Sequence, residues 1–300
     1  EPDQLDIRAE VTQDAKADGV NPVVGYTTTT ALIRVTETLL NKPGGYLSND
    51  ALPPSVFLDN IPAWELGALE MSRDMALVMR QEFSRSQSQS IENNHLKVAQ
   101  PQYNIDHKSW AMPSTESEYN KAVNELYAYR KALTEVNSQS AQFYARSDNL
   151  QDWIQEVTKR LGSYSQRLSA SVGREQLNTD LAGDSEAQQS TYTQSSVVLK
   201  TSWWKIDDEF YEARGACWAL LHFLRAVEID FNDVLEKKNA KVSVQQIIRE
   251  LEASQESIWS PMILNGDGFG LLANHSLVMA NYISRANAAL IDLNDLLSQG

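Results

Sequence analysis

The densest run of ionisable side chains lies between residues 207 and 230. Asp207, Asp208, Glu209, Glu212, Arg214, His222, Arg225, Glu228 and Asp230 fall there on one predicted helix. Asp208 and Glu212 are four residues apart, so a helix stacks their carboxylates one turn from each other on the same face. Paired carboxylates with a histidine can act as general acid and base, or hold a divalent cation. With Asp208, Glu212 and His222 as its catalytic group, the chain would be a hydrolase. The same residues also suit a purely structural part. Three acids in a first turn complement the helix dipole, and Arg225 with Glu228 makes an ordinary i,i+3 pair.

A second constellation is built from arginines. FSRSQSQS (83–90) carries Arg85, SYSQRLSAS (163–171) carries Arg167, and Arg146 with Asp148 opens the helix leading into the latter. Guanidinium groups flanked by Ser and Gln donors can grip a carboxylate or phosphate in bidentate fashion. Arg85, Arg146, Asp148 and Arg167 would then form the ligand site of a small-molecule sensor, or alternatively a polar network tying two helices together. Both versions require the two Ser/Gln/Arg tracts to be ordered and adjacent. A third group, Asn281 and Arg285, lies on a polar stripe of the last helix, where it would line a pocket or fix helix register.

Several kinds of chemistry are disfavoured. The 26 Lys and Arg face 40 Asp and Glu, a formal charge of −14, and such a chain repels nucleic-acid phosphates. The single cysteine, Cys217 in GACWALLHFL, sits in an apolar run as a small hydrophobe and has no base beside it. The four histidines are scattered without ligand spacing, so no metal is expected, and no motif implies a cofactor. Trp203–Trp204 could stack on sugar rings or anchor a linker to the core.

The elements that must position these groups are helices. Leu32, Val35, Leu39 and Leu40 mark a helix after the Thr run at 27–30, stopped by Pro43–Gly44–Gly45. From about Ala63, Leu69, Ala76, Met79 and Phe83 repeat at helical spacing, and the count continues onto Ser86 and Ser90. Thr115-x-x-Glu118 reads as a capping box. Phe143, Ser147, Leu150, Ile154, Val157, Leu161, Tyr164 and Leu168 form an unbroken heptad-like seam. Ala213, Cys217, Leu220, Leu224, Val227 and Phe231 make another stripe, and Ser243-x-x-Gln246 is expected to cap the helix after it. No alternating pattern long enough for a convincing strand occurs. The expected fold is all-α, a bundle of long amphipathic helices with ordered loops. Residues 1–22 read as a tether, and 23–300 as one helical domain with a mobile linker at 182–200.

The stretches KPGGYLSND, AQFYARSDNL, RLGSYSQRLSASVG, IDDEFYEARG and ILNGDGFGLLANHSLVMANYISRANAA, with FSRSQSQS, resemble a bacterial family, the domain of unknown function 2333. The resemblance covers residues 23–300 and brings no established activity with it. It implies a short cytoplasmic start, one transmembrane helix and then this region. The sequence begins at Glu1, so the expectation is the periplasmic part of an inner-membrane protein whose anchor has been removed. The function expected from this is non-enzymatic: binding of an envelope protein or of a peptidoglycan or lipid fragment.

Overall fold

Apolar stripes of helical period become helices here, and one of them is apolar all round. The structure is a computed structural model that describes residues 1–50, 58–86, 92–135, 141–177, 196–260, 262–265 and 273–299. In chain order come α1 (Ile7–Asp18), α2 (Tyr26–Asn41), α3 (Asn60–Val78), α4 (Asn94–Tyr103) and α5 (Thr115–Thr134). After them come α6 (Ser147–Ser169), α7 (Ile206–Asp230), α8 (Asn232–Lys237), α9 (Lys241–Ser254) and α10 (His275–Ser298). Between α6 and α7 a short antiparallel pair, β1 (Arg174–Leu177) and β2 (Ser196–Leu199), aligns Arg174 with Leu199 and Leu177 with Ser196. The fold is thus the expected all-α bundle with one small hairpin added. β2 occupies the end of the expected 182–200 linker; residues 182–195 lie outside the described residues.

α7 is the axis. Its predicted stripe from Ala213 to Phe231 is buried, and so are Trp218, Ala219, Leu221 and Phe223 on its other faces. A helix apolar on every side must be enclosed by neighbours. α3 runs alongside it in the same direction, with Trp64 5.1 Å from Trp218 near one end and Phe83 5.1 Å from Phe231 near the other. The two backbones touch. A Cβ on Gly67 would fall 1.8 Å from the Glu212 carbonyl oxygen, and one on Gly215 would fall 2.0 Å from that of Trp64.

α6 packs antiparallel to α3. Asn149 at its start donates to the Glu82 carbonyl (3.1 Å), and Arg160 farther along bonds Asp74 (2.5 and 2.8 Å). Its seam of Leu150, Ile154, Val157, Leu161, Tyr164 and Leu168 is buried as the heptad spacing predicts. α10 then lies antiparallel to α6, with Ser165 hydrogen-bonded to Ser284 and Ser147 to the Leu297 carbonyl.

Several local expectations are corrected. Residues 1–22 do not dangle: Ile7, Val11 and Ala15 of α1 enter the common core. The stripe of α3 does not continue to Ser86. The helix widens into a π turn at Met79–Phe83, closed by Ser84 N–H on the Met79 carbonyl at 3.0 Å, and stops there. Ser90 lies outside the described residues, as does most of the glycine-rich NGDGFG. The cap of α5 is Ser114, which accepts from Ser117 N–H; Thr115 is buried and donates to the Asp106 and Ser109 carbonyls instead. α9 begins at Lys241 without a side-chain cap, so Ser243 lies inside it.

Candidate functional site

The carboxylate–histidine group does not converge. Glu212 accepts from Arg167 of α6 at 2.6 and 3.2 Å, and Glu209 lies 3.0 Å from the same guanidinium, so both acids lock α7 to α6. Asp208 is half-buried beside Asp207, and burial followed by that neighbouring charge raises its carboxyl above the usual range. His222 is ten residues beyond Glu212, about 15 Å along the helix axis. It is fully buried, and both ring nitrogens are engaged. The Leu5 N–H donates to Nε2 at 2.8 Å, leaving Nδ1 protonated to donate to the Trp218 carbonyl at 2.6 Å. Burial lowers its pKa to about 4, with the Arg225 charge adding to the effect, so it stays neutral and cannot reach either carboxylate.

The arginine constellation divides in the same way. Antiparallel packing sets the end of α3, with Arg85 two residues beyond Phe83, against the start of α6. Arg146 is there too, paired with its own neighbour Asp148 at 2.7 Å. Arg167 lies at the far end of α6, 21 residues on, or about 30 Å of helix. The expectation that FSRSQSQS and SYSQRLSAS adjoin therefore fails for residues 83–86, residues 87–90 lying outside the described residues: period fixes which face of a helix is buried, and packing direction decides which ends meet. Asn281 and Arg285 fall on the solvent face of α10. Arg285 bonds Glu250 of α9 (2.8 Å) over the Tyr282 ring, and neither residue lines the neighbouring cleft of Val278, Met279 and Tyr282.

The polar groups that do converge hold the chain together, and no residue spacing announces them. Glu65 is fully buried and accepts from the Lys42 ammonium, the Leu47 and Ser48 N–H groups and the Ser48 hydroxyl. Asp14 of α1 sits between Arg34 of α2 and Arg130 of α5. The extended residues before α1 are held by α7. Arg214 bonds Glu1 at 2.8 Å, Trp218 Nε1 donates to the Asp3 carbonyl, and Arg225 donates to the Leu5 carbonyl and to Gln4. Arg214 also donates to the carbonyls of Ser254, Gln255 and Glu256, capping α9. Groups of three or more residues suited to a metal ion are absent among the described residues.

What remains unengaged is aromatic. The tryptophans divide sharply: Trp64, Trp153 and Trp218 are buried, whereas Trp110, Trp203, Trp204 and Trp259 are 76, 67, 79 and 98% exposed. Trp203 and Trp204 stack edge to face at 5.0 Å ahead of α7 and do not anchor a linker to the core. These four side chains share one end of the bundle, where α3, α5, α7 and α10 begin and α2, α6 and α9 finish. Glu1, Leu58, Asp59, Ile61, Tyr211 and Ile258 line one cleft there. Beside it, Phe210, Ile258, Trp259, Met279 and Tyr282 line a second cleft of 240 Å³. The loop bearing Trp110 is tied to the same end by the Asn49 amide, which bonds the Ser109 carbonyl and Glu116.

No helix among the described residues is long and apolar enough to cross a membrane. No curated protein and no solved structure matches the chain. A family model described as an uncharacterised protein conserved in bacteria, DUF2333, matches residues 1–300, and the chain belongs to that family.

Proposed function

We propose that the chain is a non-enzymatic helical binding module of the bacterial cell envelope. In this reading it is held at the inner membrane with this region in the periplasm, and its aromatic end receives the partner. One contrast carries the proposal. Glu209, Glu212 and both ring nitrogens of His222 are engaged in holding the chain together, whereas the largest hydrophobic side chains left to solvent are tryptophans gathered at one end. Large apolar residues left exposed together mark an interaction surface. The membrane placement is supported by the family resemblance, and the partner classes that suit it are an envelope protein, peptidoglycan or lipid.

Two measurements on the full-length chain test this. Alkaline phosphatase fused after residue 300 should be active, and activity only from a cytoplasmic reporter would refute the placement. Incubated with purified peptidoglycan, the protein should release no soluble fragments. Release that Asp208→Asn abolishes would establish the hydrolase instead.

A further inference from the structure

The side chains at the aromatic end belong to a narrow chemical class. Trp110, Met112, Trp203, Trp204, Trp259 and Met262 are 58–100% exposed, and all lie in segments that enter or leave helices at that end. Toward the opposite end the exposed large hydrophobic residues are aliphatic, among them Val23, Val24, Leu77 and Val242. Tryptophan has an amphipathic ring, apolar in its body with one N–H donor, and it favours the boundary between lipid headgroups and acyl chains over either water or hydrocarbon. A protein partner would ask for a continuous, close-packed apolar patch with a polar rim. Here the rings project from three separate connections: the one before α5, the one before α7 and the one after α9. Spaced protrusions of this kind suit a soft, laterally uniform partner better than a shaped one.

Charge narrows the class further. Glu1, Asp59, Asp207, Asp208 and Glu256 lie at this end, against Lys108 near Trp110 and Lys200 and Lys205 beside the Trp203–Trp204 pair. Excess negative charge repels anionic headgroups, so attraction must come from the rings and favour neutral lipid. Glu1 is held at this end as well, bonded by Arg214 within the cleft of Leu58, Tyr211 and Ile258.

We infer that the end of the bundle bearing Trp110, Trp203, Trp204 and Trp259 docks on the surface of a lipid bilayer, its rings entering the headgroup region. The module then stands on the membrane with its long axis upright and its opposite end farthest away. The orientation rests on the proposed membrane placement, but the affinity for lipid belongs to residues 1–300 alone and is measured without any anchor.

The test is co-sedimentation of the 300-residue protein with phosphatidylcholine vesicles, together with tryptophan emission. Expected are binding and a blue shift, both weaker when phosphatidylglycerol is mixed into the vesicles. Trp203→Ala/Trp204→Ala/Trp259→Ala should lower the partition coefficient about tenfold or more. These rings lie outside the core, so the variant should keep the parent's thermal midpoint; if it does not, Trp259→Ala alone should give a smaller loss in the same direction. Val242→Ser at the other end should change nothing. Absence of vesicle binding, or binding that the tryptophan variants leave intact, overturns the inference. So does an emission shift produced by soluble peptidoglycan fragments and not by vesicles, which would make the rings a sugar platform. Failure of vesicle binding leaves the phosphatase result standing, so the two ideas fail separately.

Discussion

α7 is gripped on two sides by opposite means. Toward α3 the contact is backbone on backbone, with Gly67 and Gly215 removing the side chains that would separate the helices, and no ion pair crosses it among the described residues. Toward the N-terminal residues it is polar almost throughout: Arg214 to Glu1, Trp218 to Asp3, His222 and Arg225 to Leu5. The first kind of contact depends on shape, which neither pH nor salt alters. The second depends on protonation and charge. The same helix therefore holds one neighbour permanently and the other conditionally.

The largest effect should come from breaking the shape-dependent side. Gly67→Ala places a methyl group 1.8 Å from the Glu212 carbonyl oxygen, so α3 and α7 must part along their length. We expect a loss of about 3 kcal/mol or more, read as a lower denaturant midpoint. A midpoint equal to the parent's would show that the helices separate at little cost.

The polar side should loosen with acid. His222 is held neutral, with its pKa lowered from 6.5 to about 4. The unfolded chain therefore binds a proton over that range that the folded one does not. Stability from this residue is complete above pH 6.5 and is lost as pH falls toward 4, by up to about 3 kcal/mol. Subtracting the pH profile of His222→Gln isolates the effect, and hydrogen exchange at residues 3–6 should accelerate over the same window. Parallel profiles for parent and variant would remove His222 from the account.

The smallest change sharpens the contrast within α1. Arg130→Met removes one of the two guanidinium groups at Asp14 while leaving Arg34, and should cost about 2 kcal/mol. Chemical denaturation of the variant reads it directly. A loss as large as that of Gly67→Ala would mean that the charged attachment is no weaker than the glycine one.

Much of this was legible from spacing alone. The seam of α6 and the stripe of α7 are buried as their periods predict, because burial of one face is what creates the period. Direction and partner are not in the period. Phe83 and Leu168 both fall on predicted buried stripes, yet antiparallel packing sets them at opposite ends of the molecule. Glycine within a helix was equally silent: Gly162, inside α6, has nothing closer than 3.8 Å to an added Cβ, whereas Gly67 and Gly215 meet backbone. His222 looked like chemistry because charged residues stand on either side of it along one predicted helix, although its immediate neighbours are apolar. Its real partners, Leu5 and Trp218, are backbone groups that no residue-type pattern advertises. The N-terminal residues read as a tether because their apolar positions, Ile7, Val11 and Ala15, are few and widely spaced.

The meeting of Gly67 with α7 also sets the order of events in folding. α3 leaves the ribosome some 150 residues ahead of the helix it must touch, an interval of roughly 8 to 30 s at ordinary rates of synthesis. Through that interval its glycine face lacks α7, and α6, made partway through it, can cover only another side. The central contact is thus a late one that joins distant parts of the chain, so folding should be slow for an all-helical protein and should finish only after the last third has been synthesised.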